Sequence, residues 1–175
     1  EAGMRGLRTV LVKIGGSAVT VKKQLETLKQ AELDATAQQV RDATRDKATQ
    51  LIIVHGAGSF GHMQARQHGV KDGWGEGPHG FAAVRRSVCE LNHHVVTAFV
   101  RAGLPAVGLP AYPTWECDDG AVTADGVAHV RAALARGLLP VLHGDAVLDR
   151  RRGCTILSGD LIIQRLAEEF RPLSV

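Results

Sequence analysis

Four short apolar runs, rich in β-branched residues, alternate along the chain with longer stretches whose apolar residues recur at helical spacing. The first run, residues 9–14, predicts a buried strand running into the turn Gly15-Gly16-Ser17. Leu25, Leu28, Leu33, Ala37 and Val40 then predict a helix over about 24–45. A second buried strand, 51–54, ends in His55-Gly56-Ala57-Gly58-Ser59-Phe60-Gly61-His62. The stretch 79–101 lacks internal proline and has Gly80 only in its first turn, so it predicts a long helix closed by Gly103 and Pro105. A third strand follows at 105–109, a helix at 126–136 and a fourth strand at 138–142, which ends in His143-Gly144-Asp145. Residues 147–156 predict a hairpin around Arg151-Arg152-Gly153, and Ser158-Gly159-Asp160 opens a last helix.

Strands separated by helices imply an α/β fold: a three-layer αβα sandwich on a mostly parallel central sheet. In such a sheet ligands sit outside the carboxyl ends of the strands. Three of the four strands end there in glycine-containing polar turns, so the turns at Gly15, Gly56 and Gly144 are expected to converge on one site.

Composition narrows the setting. The 175 residues suit one domain or part of a larger one, and 45% hydrophobic with 22% charged residues is ordinary for a globular protein. The net charge of +3 and a pI near 9.0 would suit an anionic small molecule. Only 4% of residues are aromatic and none interleave with Arg150-Arg151-Arg152, so a solvated loop is expected there and no nucleic-acid partner. Cys89, Cys117 and Cys154 are too scattered for a disulfide framework or zinc site, which points to a reducing, cytoplasmic setting. No apolar run is long enough to span a membrane. The chain begins with Glu1, and an apolar run has just begun after Pro172 when it stops. A strand cut at its start is therefore expected at 172–175, in a chain truncated at its C-terminus.

Lys13 stands near the end of an apolar strand, just before a glycine turn whose amides can approach phosphate oxygens closely. A plain strand-to-helix turn beside a surface lysine would look similar, although lysine is rarely buried without a partner. The segment from His55 to His62 carries more: three glycines and a serine at a strand's end form an anion cradle, with a histidine at the far edge able to donate. It lacks the Gly-Lys-Ser/Thr of a Walker A loop and the acidic residue of a dinucleotide fold. Asp145 and Asp160 each follow a glycine, where a carboxylate can hold lysine ammonium groups or help carry a metal; Asp160 also reads simply as a first-turn helix aspartate.

Taken in order, Lys-Ile-Gly-Gly-Ser, His-Gly-Ala-Gly-Ser-Phe-Gly-His, Pro-Val-Leu-His-Gly-Asp-Ala-Val and Leu-Ser-Gly-Asp resemble the isopentenyl phosphate kinase branch of the amino acid kinase family. The resemblance runs from about residue 10 to 175. It implies the amino acid kinase fold and phosphorylation of isopentenyl phosphate to isopentenyl diphosphate by ATP with Mg2+. By the same resemblance, Lys13 stabilises the transferred phosphoryl group and Gly15, Gly16 and Ser17 lie over the ATP phosphates. Lys22 matches a second lysine, though Val21 stands where the family often has Asp. Gly56, Ala57 and Gly61 match the acceptor-phosphate cradle, with Ala57 where many members have Gly, and His62 the histidine on that phosphate. Asp145 resembles the aspartate that orients the lysines, and Gly159 with Asp160 a later substrate-side turn. Residues 1–175 would then be the acceptor side of the domain, and the nucleotide-binding half, with the adenine and ribose contacts, would lie outside them.

These residue types suit the chemistry, since an anionic acceptor phosphate needs positioning and charge neutralisation rather than a strong base. Val84, Val88 and Leu91 could line a pocket for an isoprenoid tail or be ordinary sheet-facing core. Another acceptor within the family, or a phosphate-binding chain without activity, stays open at this point, as does a homodimer.

Overall fold

The computed structural model describes residues 8–44, 49–172 and 174. The chain runs β1 (Arg8–Ile14), α1 (Gly16–Val19), α2 (Gln30–Ala43), β2 (Thr49–His55) and α3 (Gly58–Gln67). A 3₁₀ turn, Val70–Asp72, leads to α4 (Pro78–Arg101), β3 (Ala106–Gly108), β4 (Glu116–Asp118) and β5 (Ala121–Ala124). It closes with α5 (Val127–Leu134), β6 (Leu139–His143), β7 (Asp145–Asp149), β8 (Gly153–Leu157) and α6 (Gly159–Phe170).

Strand alternation sorts the core into two layers. Leu51 and Ile53 of β2 pack with Leu33 of α2 and Leu91 and Val95 of α4. Ile52 and Val54, pointing the other way, pack with Val130 of α5 and Ile162 and Leu166 of α6. Burying each such side chain contributes about 1.5–3 kcal/mol. Between the layers lies the expected parallel sheet, in the order β1-β2-β6-β3. The Ser158 hydroxyl caps α6 by accepting from the Leu161 N–H at 3.2 Å, as its first-turn sequence suggests.

Three elements depart from expectation. The helix predicted over 24–45 begins only at Gln30, and residue 45 lies outside the described residues. Residues 20–28 instead fold back, with Thr20 bridging Leu28, the Val21 N–H donating to the Thr27 carbonyl at 2.9 Å and Glu26 at φ 47°. Leu25 is left exposed, so the helical stripe starts at Leu33. Secondly, β4 and β5 were not anticipated; they form a second, mixed sheet with the predicted hairpin, in the order β5-β4-β7-β8. The chain passes from one sheet to the other at Gly144, between β6 and β7. Lastly, of the strand expected at 172–175, Leu173 and Val175 lie outside the described residues. Ser174 makes a single parallel bridge to Val10, with the Leu11 N–H donating to its carbonyl at 3.2 Å.

Candidate active site

The carboxyl ends of β1, β2 and β6 bring their three turns together. Gly16 and Gly56 pack backbone on backbone: a β-carbon on Gly16 would stand 2.4 Å from the Gly58 nitrogen, and one on Gly56 2.8 Å from the Gly16 nitrogen. No side chain fits at either position, so the pair lets two main-chain turns form one surface. The Ser59 N–H donates to the Thr20 hydroxyl at 3.1 Å, tying the start of α3 to the first turn. The N-termini of α3 and α6 both open on this surface, where free amides and the helix dipoles favour an anion.

Above it lies a cleft of about 540 Å³. Its floor is Gly15, Gly16, Gly56, Ala57, Gly144 and Gly159; Lys13, His62, Lys71, Arg152 and Asp160 line its charged side. Ala65, Val84, Val88 and Ile156 supply its apolar wall, part of a small separate core cluster. Of the long-helix residues with two readings, Val84 and Val88 line the cleft while Leu91 belongs to the sheet-facing core. A neighbouring cleft of about 680 Å³ shares Gly16, Gly56, His62 and Lys71 and adds Ser17, Lys22, Lys23 and Arg66. Lys22 therefore stands in the second cleft, apart from Lys13, whereas Gly61, His62, Asp145 and the remaining predicted residues except Ser17 line the first.

The charges pair differently from expectation. The Lys13 ammonium is bonded to Asp160, both partly open to the cleft. Asp145, expected to orient the lysines, is fully buried and ion-paired with Arg85 of α4. It also accepts from the Ala146 N–H at 2.9 Å and the Tyr112 N–H at 3.3 Å. The reason is position. Asp160 opens α6 on the side of the sheet towards which Lys13 points, while Asp145 begins β7, turned to α4. The Arg85 guanidinium also lies over the Tyr112 ring, 5.0 Å from its centroid. Burial by itself would lower the Arg85 pKa; the bond to Asp145 outweighs it, and the net shift is upward.

Lys71, Arg85 and Arg152 were not singled out as site residues. Arg152 belongs to the run expected to be merely solvated; it is held by Asp119 at 2.8 Å and lines the cleft, while Arg151 pairs with Asp118 at 3.2 Å. Arg85 has no sequence signal beyond its neighbour Arg86. Lys71 is flanked by Gly69 and Gly73, both at positive φ, a local signal of a shaped turn. Cys89, Cys117 and Cys154 are free thiols. Among the described residues no helix is long and apolar enough to cross a membrane.

A parallel sheet thus gathers glycine turns, a lysine and a histidine at its carboxyl end, an arrangement that can hold an anion. Residues 8–175 match the amino acid kinase family, and the chain belongs to it. It is 36% identical to isopentenyl phosphate kinase from Arabidopsis thaliana over 98% of its length, and 31% identical to that from Methanothermobacter thermautotrophicus over 93%. It spans 63% and 64% of those relatives' own lengths. A solved isopentenyl phosphate kinase structure superposes with a TM-score of 0.88 at 30% identity, over 94% of this chain and 69% of that one.

Proposed function

We propose that this chain is the acceptor side, residues 1–175, of a kinase that transfers phosphate from ATP to isopentenyl phosphate, giving isopentenyl diphosphate. One observation carries the reading: a single cleft gathers Lys13, His62 and the free Ala57 N–H together with an apolar wall of Ala65, Val84, Val88 and Ile156. That is the shape and polarity of a phosphate head on a short hydrocarbon tail. The likeness to curated isopentenyl phosphate kinases supports the same substrate.

In this mechanism the turn of Gly56, Ala57 and Gly61 cradles the acceptor phosphate. The free Ala57 N–H donates to it, while the Gly56 and Gly61 N–H groups are taken by the carbonyls of Ile14 and Ala57 at 2.9 and 3.1 Å. Gly159 lies beside them, and His62 donates to one of the phosphate oxygens. Lys13, aimed by Asp160, balances charge on the phosphoryl group as it moves, while Gly15, Gly16 and Ser17 face the ATP phosphates and Lys22 approaches from the second cleft. Asp145 acts on the site only through Arg85 and the backbone that it anchors. No cluster of three His, Cys, Asp or Glu side chains that could hold a metal occurs among the described residues. The carboxylates of Asp160 and Asp145 are committed to cations. By themselves these residues do not form a magnesium cage, and Mg2+ would come with the phosphates of the nucleotide, whose oxygens are the hard ligands it prefers.

Isopentenyl phosphate should bind the chain in a calorimetric titration. In His62→Ala the affinity should fall about tenfold or more, because a hydrogen bond to a charged group is worth about 1.5–3 kcal/mol. Equal affinity in the two proteins would remove His62 from the phosphate. In steady-state ADP-release assays of the natural protein, Lys13→Met should lower kcat far more than it raises KM for isopentenyl phosphate. A normal kcat with only weaker binding would assign Lys13 to ground-state charge.

A further inference from the structure

The motif His-Gly occurs twice at the ends of neighbouring central strands, as His55-Gly56 and His143-Gly144, and the mechanism above uses only the glycines. Both imidazoles are completely buried and stacked, with ring centroids 5.4 Å apart. Each Nδ1 lies 3.0 Å from the carbonyl of its own following glycine, Gly56 or Gly144. A carbonyl oxygen has no proton to give, so each Nδ1 carries one. In the neutral His55 ring Nε2 is then bare, and the side-chain amide of Asn92 on α4 donates to it at 3.0 Å. The Gly144 N–H donates to the His55 carbonyl at 3.1 Å, joining the two turns. Burial, together with the neighbouring His143, pushes the His55 pKa down to about 3, so this ring stays neutral in ordinary buffers.

In a trans peptide the C=O and the next N–H point in opposite directions. A ring that holds the Gly56 carbonyl back towards the core therefore turns the Ala57 N–H outwards. That nitrogen faces Gly144 across the cleft floor, 3.8 Å from where a β-carbon on Gly144 would stand. Among the described residues it donates to no protein acceptor. We infer that His55, buttressed by His143 and set by Asn92, is a positioning residue that aims the Ala57 amide at the acceptor phosphate. It touches no substrate and moves no proton. The inference rests on the phosphate reading of the cleft, and it gives α4 two parts in the site: Val88 lines the cleft, and Asn92, one turn on, sets the ring behind the phosphate.

Nitrogen-15 spectra and titrations with isopentenyl phosphate, on the 175-residue chain, test it. Without ligand, His55 should show the Nδ1-protonated neutral pattern; an Nε2-protonated ring would overturn the inference. On titration the Ala57 amide resonance should move as the phosphate binds, and a stationary resonance alongside measured binding would likewise sink it. His55→Asn keeps a donor near the position of Nδ1 and should retain most of the affinity. His55→Gln carries its donor further out and should bind about tenfold more weakly. Equal affinities for these two variants would reduce His55 to core packing. If the unmutated chain binds no isopentenyl phosphate, the reading of the cleft falls, while the ring pattern still decides whether His55 holds the Gly56 carbonyl.

Discussion

Arg85→Met should cost about 3–5 kcal/mol of folding stability, because it strands the Asp145 carboxylate without a counter-charge. The Asp145 side chain is wholly inaccessible and that of Arg85 only 18% accessible, so water cannot replace the lost guanidinium. Two backbone N–H groups would still reach the carboxylate, but neither carries a full charge. For a domain of this size the melting temperature should fall by about 6–20 °C. Adding Asp145→Asn to Arg85→Met should restore part of the loss, since neither charge then remains buried. Thermal and urea unfolding of the two single variants and the double one make the measurement. A loss near 1 kcal/mol for Arg85→Met, the range of an exposed pair, would show that this pair is not what anchors β7 to α4.

Acid should weaken the fold well before the carboxylates titrate. His55 is held neutral, with a folded pKa of about 3 against an ordinary 6.5, first by burial and then by His143. Below pH 6.5 the unfolded chain takes up a proton that the folded chain refuses, so stability falls as pH falls, until the folded value is reached. Each unit costs about 1.4 kcal/mol for such a ring, so His55 alone removes about 2 kcal/mol between pH 6.5 and pH 5. The His143 pKa is also lowered, chiefly by burial and against the pull of Asp145, and adds loss of the same sign. Asp149 joins only below its ordinary 3.8: burial would raise its pKa, but N–H groups of Arg152, Gly120, Asp119 and Arg151 lower it on balance. Melting temperatures should drop by about 4–8 °C from pH 6.5 to pH 5. His55→Asn, which cannot titrate, should flatten that slope. A melting temperature independent of pH over this range would mean that the buried rings are hydrated or already charged.

Much of this was legible along the chain, for reasons that differ by element. The strands 9–14, 51–54 and 138–142 announced themselves because a sheet covered on both faces needs continuous apolar runs, and each ends in a turn that only small residues permit. The same turns pointed to the site, since glycine at a strand's carboxyl end has few purposes as good as letting amides meet an anion. The long helix, expected over 79–101, was readable from its freedom from internal proline and its stop signals, and the cap at Ser158 from one hydroxyl. The hairpin β4–β5 carried a signal that went unread: Asp119-Gly120, at φ 53° and 83°, is the dipeptide that a tight two-residue hairpin favours. Its strands are only three and four residues long, too short for alternation to stand out.

The amino-acid sequence by itself determined the layer architecture, the convergence of the three glycine turns and the residue types that line the cleft, because these follow from local period and backbone freedom. Only the tertiary structure decided which charge meets which. Asp145 and Asp160 look alike in sequence, each behind a glycine, yet one is buried against Arg85, sixty residues away, and the other is bonded to Lys13, 147 residues away. Ion pairing falls off within a few ångströms, and the distances between strands and helices are set by packing of the whole sheet, which no local spacing records. The same holds for Val84 and Val88, whose place at the cleft rather than under the sheet was settled by where α3 and β7 come to lie against α4.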